Sequence, residues 1–417
     1  MKNALIPVTA LLFGVALLLT GQGLQGTLVP VRASLENFSA LSMGFIGGTY
    51  YLGFTLGCLK GGELVSRVGH VRVFAAMAAL ASAVPLLHGM IVEPMVWSGF
   101  RFLTGFCFAV LYVVIESWLN ELSTNENRST VFSAYVVISM SVLAIGQMLL
   151  LIEDPGSLYL FAVAAVLVSV AVVPVTLTTA PLPEQPHRVD VDLRRLFYIS
   201  PAGTIASLGT GLANGAFWAL GPYFTVGVTG NLSLAAWFMS AAVLGGALCQ
   251  WPVGHLSDRI GRRGVLIGCT LGSSIAAFLI VAFAESLSFV TVLALGAAWG
   301  AFAFPQYSIA VANANDFAEP GEYVMVSSGL LMLFGIGAIA GPLLASMLMT
   351  GVGFVGLFIY TGLIHLLIAA YIGFRVTRRH SAPVEMHVDY NESVLAAHTT
   401  SQVYEEESEE LHQRETH

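Results

Sequence analysis

Gly62-Glu63-Leu64-Val65-Ser66-Arg67-Val68-Gly69-His70-Val71-Arg72 and Gly254-His255-Leu256-Ser257-Asp258-Arg259-Ile260-Gly261-Arg262-Arg263 are two versions of one segment, 192 residues apart. Each reads as a short, basic, glycine-bearing turn between two long apolar runs. Glycine permits a tight reversal, and arginine holds the turn at a membrane interface. A cationic hairpin that recurs in this way points to two similar helical bundles facing one another.

Composition places those bundles in a membrane. The chain has 417 residues, 56% hydrophobic and 10% charged, with a mean hydropathy of +0.79. A soluble domain carries about 25% charged residues, so this chain lacks the charge to coat a globule. Its apolar residues gather in runs of about 20, the length that crosses ~30 Å of hydrocarbon. Twelve runs are expected to span: 5–30, 40–62, 73–91, 96–119, 131–152, 158–179, 201–226, 234–254, 265–284, 289–313, 324–349 and 353–375. On that reading every Lys and Arg except Arg32 and Arg101 falls on one side, which the positive-inside rule makes cytoplasmic, with both termini. The net charge of −8 is largely a tail effect, from Glu405, Glu406, Glu407, Glu409 and Glu410. The first run is too long for a secretory signal and is read as a retained span.

The expected organisation is an N-terminal six-helix bundle over 1–179, a cytoplasmic linker over 180–200, a C-terminal six-helix bundle over 201–375 and a disordered acidic tail over 376–417. Pro181, Pro183 and Pro186 open the linker, with a surface helix able to follow. The repeat extends beyond the turns. Gly105, Tyr112 and Asn120 match Gly300, Tyr307 and Asn315, each displaced by 195. The cysteines Cys58, Cys107, Cys249 and Cys269 are scattered, as buried structural thiols are. The sequence contains no phosphate-binding G-x-x-x-x-G-K-[ST] loop, no G-x-S-x-G elbow and no metal-spaced His/Cys cluster. An enzyme, a cofactor, a metal and a nucleic-acid partner are therefore not expected.

The turn Gly254-x-Leu256-x-Asp258-Arg259-x-Gly261-Arg262-Arg263 resembles the signature of the major facilitator superfamily between its second and third spans, carried here by the second half. The first copy departs from it, with Ser66 where an acid is usual. Arg101-x-x-x-Gly105 is similar to the superfamily's membrane-embedded arginine motif. Gly21-x-Gly23-Leu24-x-Gly26-Thr27-Leu28, Glu116-Ser117-Trp118-Leu119-Asn120-Glu121, Gln250-Trp251-Pro252 and Asn313-Ala314-Asn315-Asp316 resemble a bacterial branch called YcaD-like, which brings no defined substrate. Over residues 5–375 the resemblance implies an all-α membrane fold of twelve transmembrane helices in two pseudo-symmetric bundles. It further implies a multi-pass permease of the bacterial inner membrane that acts by alternating access, and turns that latch the two halves on the cytoplasmic side.

Inside the spans, Arg101 is the most informative residue. A membrane-embedded arginine costs at least ~2.5 kcal/mol on insertion scales, so it should face water or a partner. At 100° per residue Arg101, Gly105, Phe108, Tyr112 and Glu116 share one face. Expected cavity residues are Gln22, Gln25, Tyr50, Arg101, Tyr112, Gln147, Asn214, Trp218, Gln250, Trp299, Gln306 and Tyr307, aromatic surface with a few amides. Each alone is more often glue between helices than a ligand contact, and it is their convergence from spans one, four, seven and ten that lifts the set. Trp299, Phe302, Gln306 and Asn313 form one stripe, with Pro305 placed to kink it. The expected cytoplasmic gate comprises Gly62, Arg67, Gly69, Arg72, Gly254, Asp258, Arg259, Gly261, Arg262 and Arg263, with Glu116 ion-paired to Arg67 or Arg72. His365 reads as a packed peripheral residue and His88 as an interfacial one. The expected partners are a small neutral polar or anionic solute and the lipid bilayer, with the chain working as a monomer. Proton coupling stays open, since only Glu116 and His365 titrate within spans. A uniporter, a drug or metabolite exporter and a non-transporting sensor are the alternatives.

Overall fold

A computed structural model describes residues 2–123, 128–177, 191–286, 288–319 and 322–378, with the side chains of 2–8, 128 and 129 left aside. Among these residues there is helix and no strand. The long helices are α1 (Lys2–Leu35), α2 (Ala40–Val68), α3 (His70–Met90), α4 (Pro94–Glu121), α5 (Arg128–Met148), α6 (Tyr159–Thr176), α7 (Pro201–Thr229), α8 (Leu232–Ile260), α9 (Arg262–Ala282), α10 (Phe289–Asn315), α11 (Tyr323–Val352) and α12 (Gly356–Val376). Ten of them are long and apolar enough to cross a membrane. The other two, α2 and α7, are as long, but glycine, tyrosine and amide residues replace part of their aliphatic content. α10 is interrupted at Phe304, because Pro305 has no N–H to continue the ladder. The linker yields a short helix, Leu193–Ile199, whose first turn is capped by the Asp192 carboxylate. The linker prolines and the acidic tail lie outside the described residues.

The basic segments correct the sequence reading. Only Gly69 and Gly261 leave the helix; Glu63 to Arg67 form the last turn of α2, and Asp258 and Arg259 the last turn of α8. Gly69 (φ +93°) and Gly261 (φ +101°) adopt a backbone that disfavours any side chain, so one glycine reverses the chain.

Packing repeats with a shift of six helices. α1 packs on α5 and α6, α2 on α4, and α3 on α4 and α6; α7 packs on α11 and α12, α8 on α10, and α9 on α10 and α12. The first six helices meet the last six through α2 against α11 and α7, α5 against α8, and α1 against α7. These contacts lie towards the end opposite the basic turns. There Tyr223 donates to the Phe38 carbonyl (2.8 Å), and Ser240 on α8 donates to the Ala144 carbonyl (3.1 Å) and the Gln147 side chain (3.2 Å) on α5. Gly44 and Gly48 of α2 lie against Ser346 and Ile339 of α11, and this seam runs inward to Thr55 beside Gly335. One apolar cluster crosses both halves there, joining Leu24, Leu28, Trp97 and Phe161 to Phe217, Leu220 and Phe358. At the basic-turn end the apolar clusters are separate, one in the first half and two in the second. Among the described residues the two sets of helices are joined at one end, and their apolar clusters are separate at the other.

Candidate functional site

In the first half, α2 and α4 cross with almost no side chain between them. A Cβ on Gly53 would sit 1.9 Å from the Phe102 carbonyl oxygen, and one on Gly105 2.0 Å from that of Tyr50. Only glycine fits such a crossing. One turn before Gly105, this approach sets the Arg101 guanidinium over the Tyr50 ring, 4.3 Å from its centroid. The Tyr50 hydroxyl accepts from Gln22 Nε2 (3.0 Å), and the Tyr112 hydroxyl donates to Gln22 Oε1 (2.8 Å). Phe54 lies between, with its ring centroid 6.2 Å from Tyr50 and 6.1 Å from Tyr112. Gln22, Tyr50, Arg101 and Tyr112, drawn from three expected spans, thus form one strip, each side chain half-buried. One turn along α1 from Gln22, Gly26 faces open space. Among the described residues no carboxylate pairs with Arg101 and no hydrogen-bond acceptor meets it.

The facing second-half wall is aromatic. Trp218 of α7 stacks on Phe304, at the break in α10, with centroids 5.4 Å apart and planes 8° apart. Tyr307 packs on Phe334 of α11 at 5.0 Å. All four are half-buried. Asn214 lies one turn from Trp218, buried, with its Oδ1 unbonded among the described residues. Gln250 donates to Ser308 (3.1 Å), a bond within the second half. The walls are registered by Gly47 of α2, which lies against Ala219 of α7. Gly47 is one turn from Tyr50, and Ala219 is next to Trp218.

Four expected cavity residues sit elsewhere. Trp299 is fully buried, stacked on Phe217 (4.1 Å) within the second bundle's aromatic core. Gln306 is buried and donates to Ser273 of α9 (2.8 Å). Asn313, on the same stripe, donates to Ser200 (2.9 Å) before α7. Trp299, Gln306 and Asn313 face into their own bundle, while Phe302 is exposed beside Gly272 of α9, and Phe304 and Tyr307, at the break in α10, lie against Trp218 and Phe334. Gln25 is buried, and Gln147 is spent on Ser240 at the closed end. His365 lies in the core beside Trp299, and His88 is fully buried between Trp97 and Phe100 rather than interfacial.

The basic segments differ between halves. Arg262 is buried and bonds Asp258, Ser257 (2.9 Å) and Asp316 (3.3 Å) at the end of α10, while Arg263 covers the Phe317 ring. These described partners all belong to the second half, so the turn is stapled to its own bundle. Asp316 stands 195 residues after Glu121, the repeat interval, and that displacement is the signal in the sequence that points to it. In the first copy Arg67 is exposed and pairs with Glu63, and buried His70 stands where Arg262 does, against Trp118. Among the described residues no ion pair joins Glu116 to Arg67, which pairs with Glu63 instead, or to Arg72. Glu116 lies buried on α4 within electrostatic reach of Tyr112, Tyr135 and Cys58, because the α2 terminus carries Arg67 outward. The linker helix docks on the second half through Leu196 and Ile199, and Arg195 bonds Glu322 (2.9 Å) and approaches Glu319 (3.9 Å). Burial works to raise the Glu322 carboxyl, but the Arg195 hydrogen bond, the Glu319 backbone N–H and the Arg195 charge together outweigh it and hold the group below its usual range.

A model of the Major Facilitator Superfamily matches residues 11–230 and again 203–396. The chain belongs to the major facilitator superfamily. The MFS-type transporter YcaD of Salmonella newport (strain SL254) is 27% identical over 349 residues, spanning 82% of this chain and 89% of that one, and its Salmonella paratyphi B counterpart is 28% identical over 351. Among solved structures, a variant of the nucleoside transporter NupG aligns with a TM-score of 0.77 at 13% identity, over 88% of this chain and 99% of its own. A bacterial homologue of the human lysosomal transporter Spinster, inward-facing and occupied, aligns at 0.72 and 15%, over 91% and 97%. At those identities the structures speak for the fold. Superfamily membership makes this a multi-pass membrane transporter and not an enzyme.

Proposed function

We propose that the protein moves a small neutral polar or anionic organic solute across the bacterial inner membrane by alternating access. The observation that carries this is the first-half strip Arg101–Tyr50–Gln22–Tyr112, in a molecule whose described contacts between halves lie towards one end. Positive-inside counting puts the basic turns and both termini in the cytoplasm, so the divided end opens inward. Twelve spans, α2 and α7 included, keep that asymmetry consistent. A cation set within a span is a functional group by default, and its partial exposure leaves it within reach of a solute. The two six-helix halves rock about the strip, with the basic turns approaching one another when the inner end closes. Solute counterflow in proteoliposomes tests the role of Arg101: Arg101→Ala is expected to cut exchange at least about tenfold. Unchanged kinetics would remove Arg101 from the mechanism.

A further inference from the structure

We infer that the solute is an amphipathic monoanion, with a carboxylate seated on Arg101 and a flat apolar body against Trp218 and Phe304. This rests on the transport reading and narrows its substrate. The charge comes first. Among the described residues, Arg101 is the one Lys or Arg deep within a helix that no carboxylate meets: Lys60, two turns from the end of α2, is exposed and pairs with Glu63, and the others lie nearer helix ends or beyond. Glu116, on the same helix, is 15 residues on, about 22 Å at 1.5 Å per residue, too far to neutralise it. An uncompensated cation in low dielectric is costly, and the solute is the group left to compensate it. One positive charge matches one negative charge, and a dianion would carry its second charge unmatched.

The geometry selects a planar acid. Tyr50 covers one face of the guanidinium, which leaves its N–H edge for a bidentate carboxylate. The Tyr50 hydroxyl accepts from Gln22 and so keeps its own proton to donate, whereas the Tyr112 proton is spent on Gln22. Arg101 and Tyr50 therefore offer two kinds of donor side by side. Across the Gly47–Ala219 contact the wall changes character: Trp218 and Phe304 lie parallel, with Tyr307 and Phe334 beyond, and none of them is charged. A ring against that wall gains dispersion and buried apolar area; a sugar-like polyol would forfeit its hydration there.

Three probes separate the two halves of the proposal, using purified full-length protein: indole-3-acetate, its neutral isostere indole-3-acetamide, and acetate. Equilibrium binding should favour indole-3-acetate over each of the others by at least about tenfold. Arg101→Gln should lower the acid to the level of the amide, Arg101→Lys should keep a reduced preference for the acid, and Trp218→Ala should weaken acid and amide together. Equal binding of acid and amide by wild type, a preference that survives Arg101→Gln, or no binding of any probe overturns the proposal. Counterflow with the same probes tells the readings apart. Exchange of the amide with the acid ignored sinks the monoanion class and leaves transport standing; binding of the acid without exchange counts against transport alone.

Discussion

At the scale of single residues, the two halves use their charges differently although their sequences repeat. Arg262 is 2% exposed and compensates Asp316, whose side chain is 1% exposed, as well as Asp258. Breaking a buried pair leaves a charge in low dielectric and costs about 3 kcal/mol or more. Arg67 is 73% exposed, and exposed pairs contribute little. Arg262→Ala should therefore lower the melting temperature of the detergent-purified protein by several degrees, with Arg262→Lys intermediate, while Arg67→Ala leaves it within error. Equal losses from the two alanine variants would mean that the acid missing at Ser66 does not matter. Arg101 was legible at this scale because the cost of a buried arginine demands a partner. Its partner Tyr50 was legible only as a nearby polar residue.

Individual elements come together by devices that recur in each half. The α2–α4 crossing at Gly53 and Gly105 has its counterpart in α8 and α10, where a Cβ on Gly245 would meet the Ala297 carbonyl and one on Gly300 that of Ala242. The displaced glycine pair was visible in the sequence; that it brings two backbones into contact was not, since a glycine carries no mark of its neighbour. The linker helix is the least anchored element, tied down by Leu196, Ile199 and the Arg195–Glu322 bond. Because the Glu322 carboxyl is held below its ordinary value, that bond is intact above the usual carboxylate range and is lost as pH falls through the depressed value. Amide exchange over Leu193–Ile199, corrected for intrinsic rates, should be slow near pH 7 and quicken below about pH 4. Glu322→Gln should show the fast exchange at both.

For the whole molecule, the proposed alternating access makes the far-end seam the contact that has to break for the solute to reach the other side. Gln147 and Ser240 meet across it. In a background with Cys58, Cys107, Cys249 and Cys269 replaced, Gln147→Cys with Ser240→Cys should cross-link on oxidation, abolish counterflow and regain it on reduction. Full exchange by the oxidised protein would show that the far end need not open, and two-sided access would fail as a description. Spin labels at Arg67 and Arg259 report the complementary change, a shortened distance when solute closes the inner end.

By itself the sequence determined the class of molecule, the repeat and the special cost of Arg101, because hydropathy, glycine spacing and charge placement are local properties that need no coordinates. The helical stripe through Trp299 and Gln306 was equally local and pointed to the wrong surface. Periodicity says which residues share a face, but only packing says what that face meets. Tertiary structure decided that α10 breaks at Phe304 and presents Tyr307, that Gln22 bridges two tyrosines from other helices, and that Arg262 serves its own half. Each of these depends on backbones brought together from distant parts of the chain, a relation that no single stretch of residues encodes.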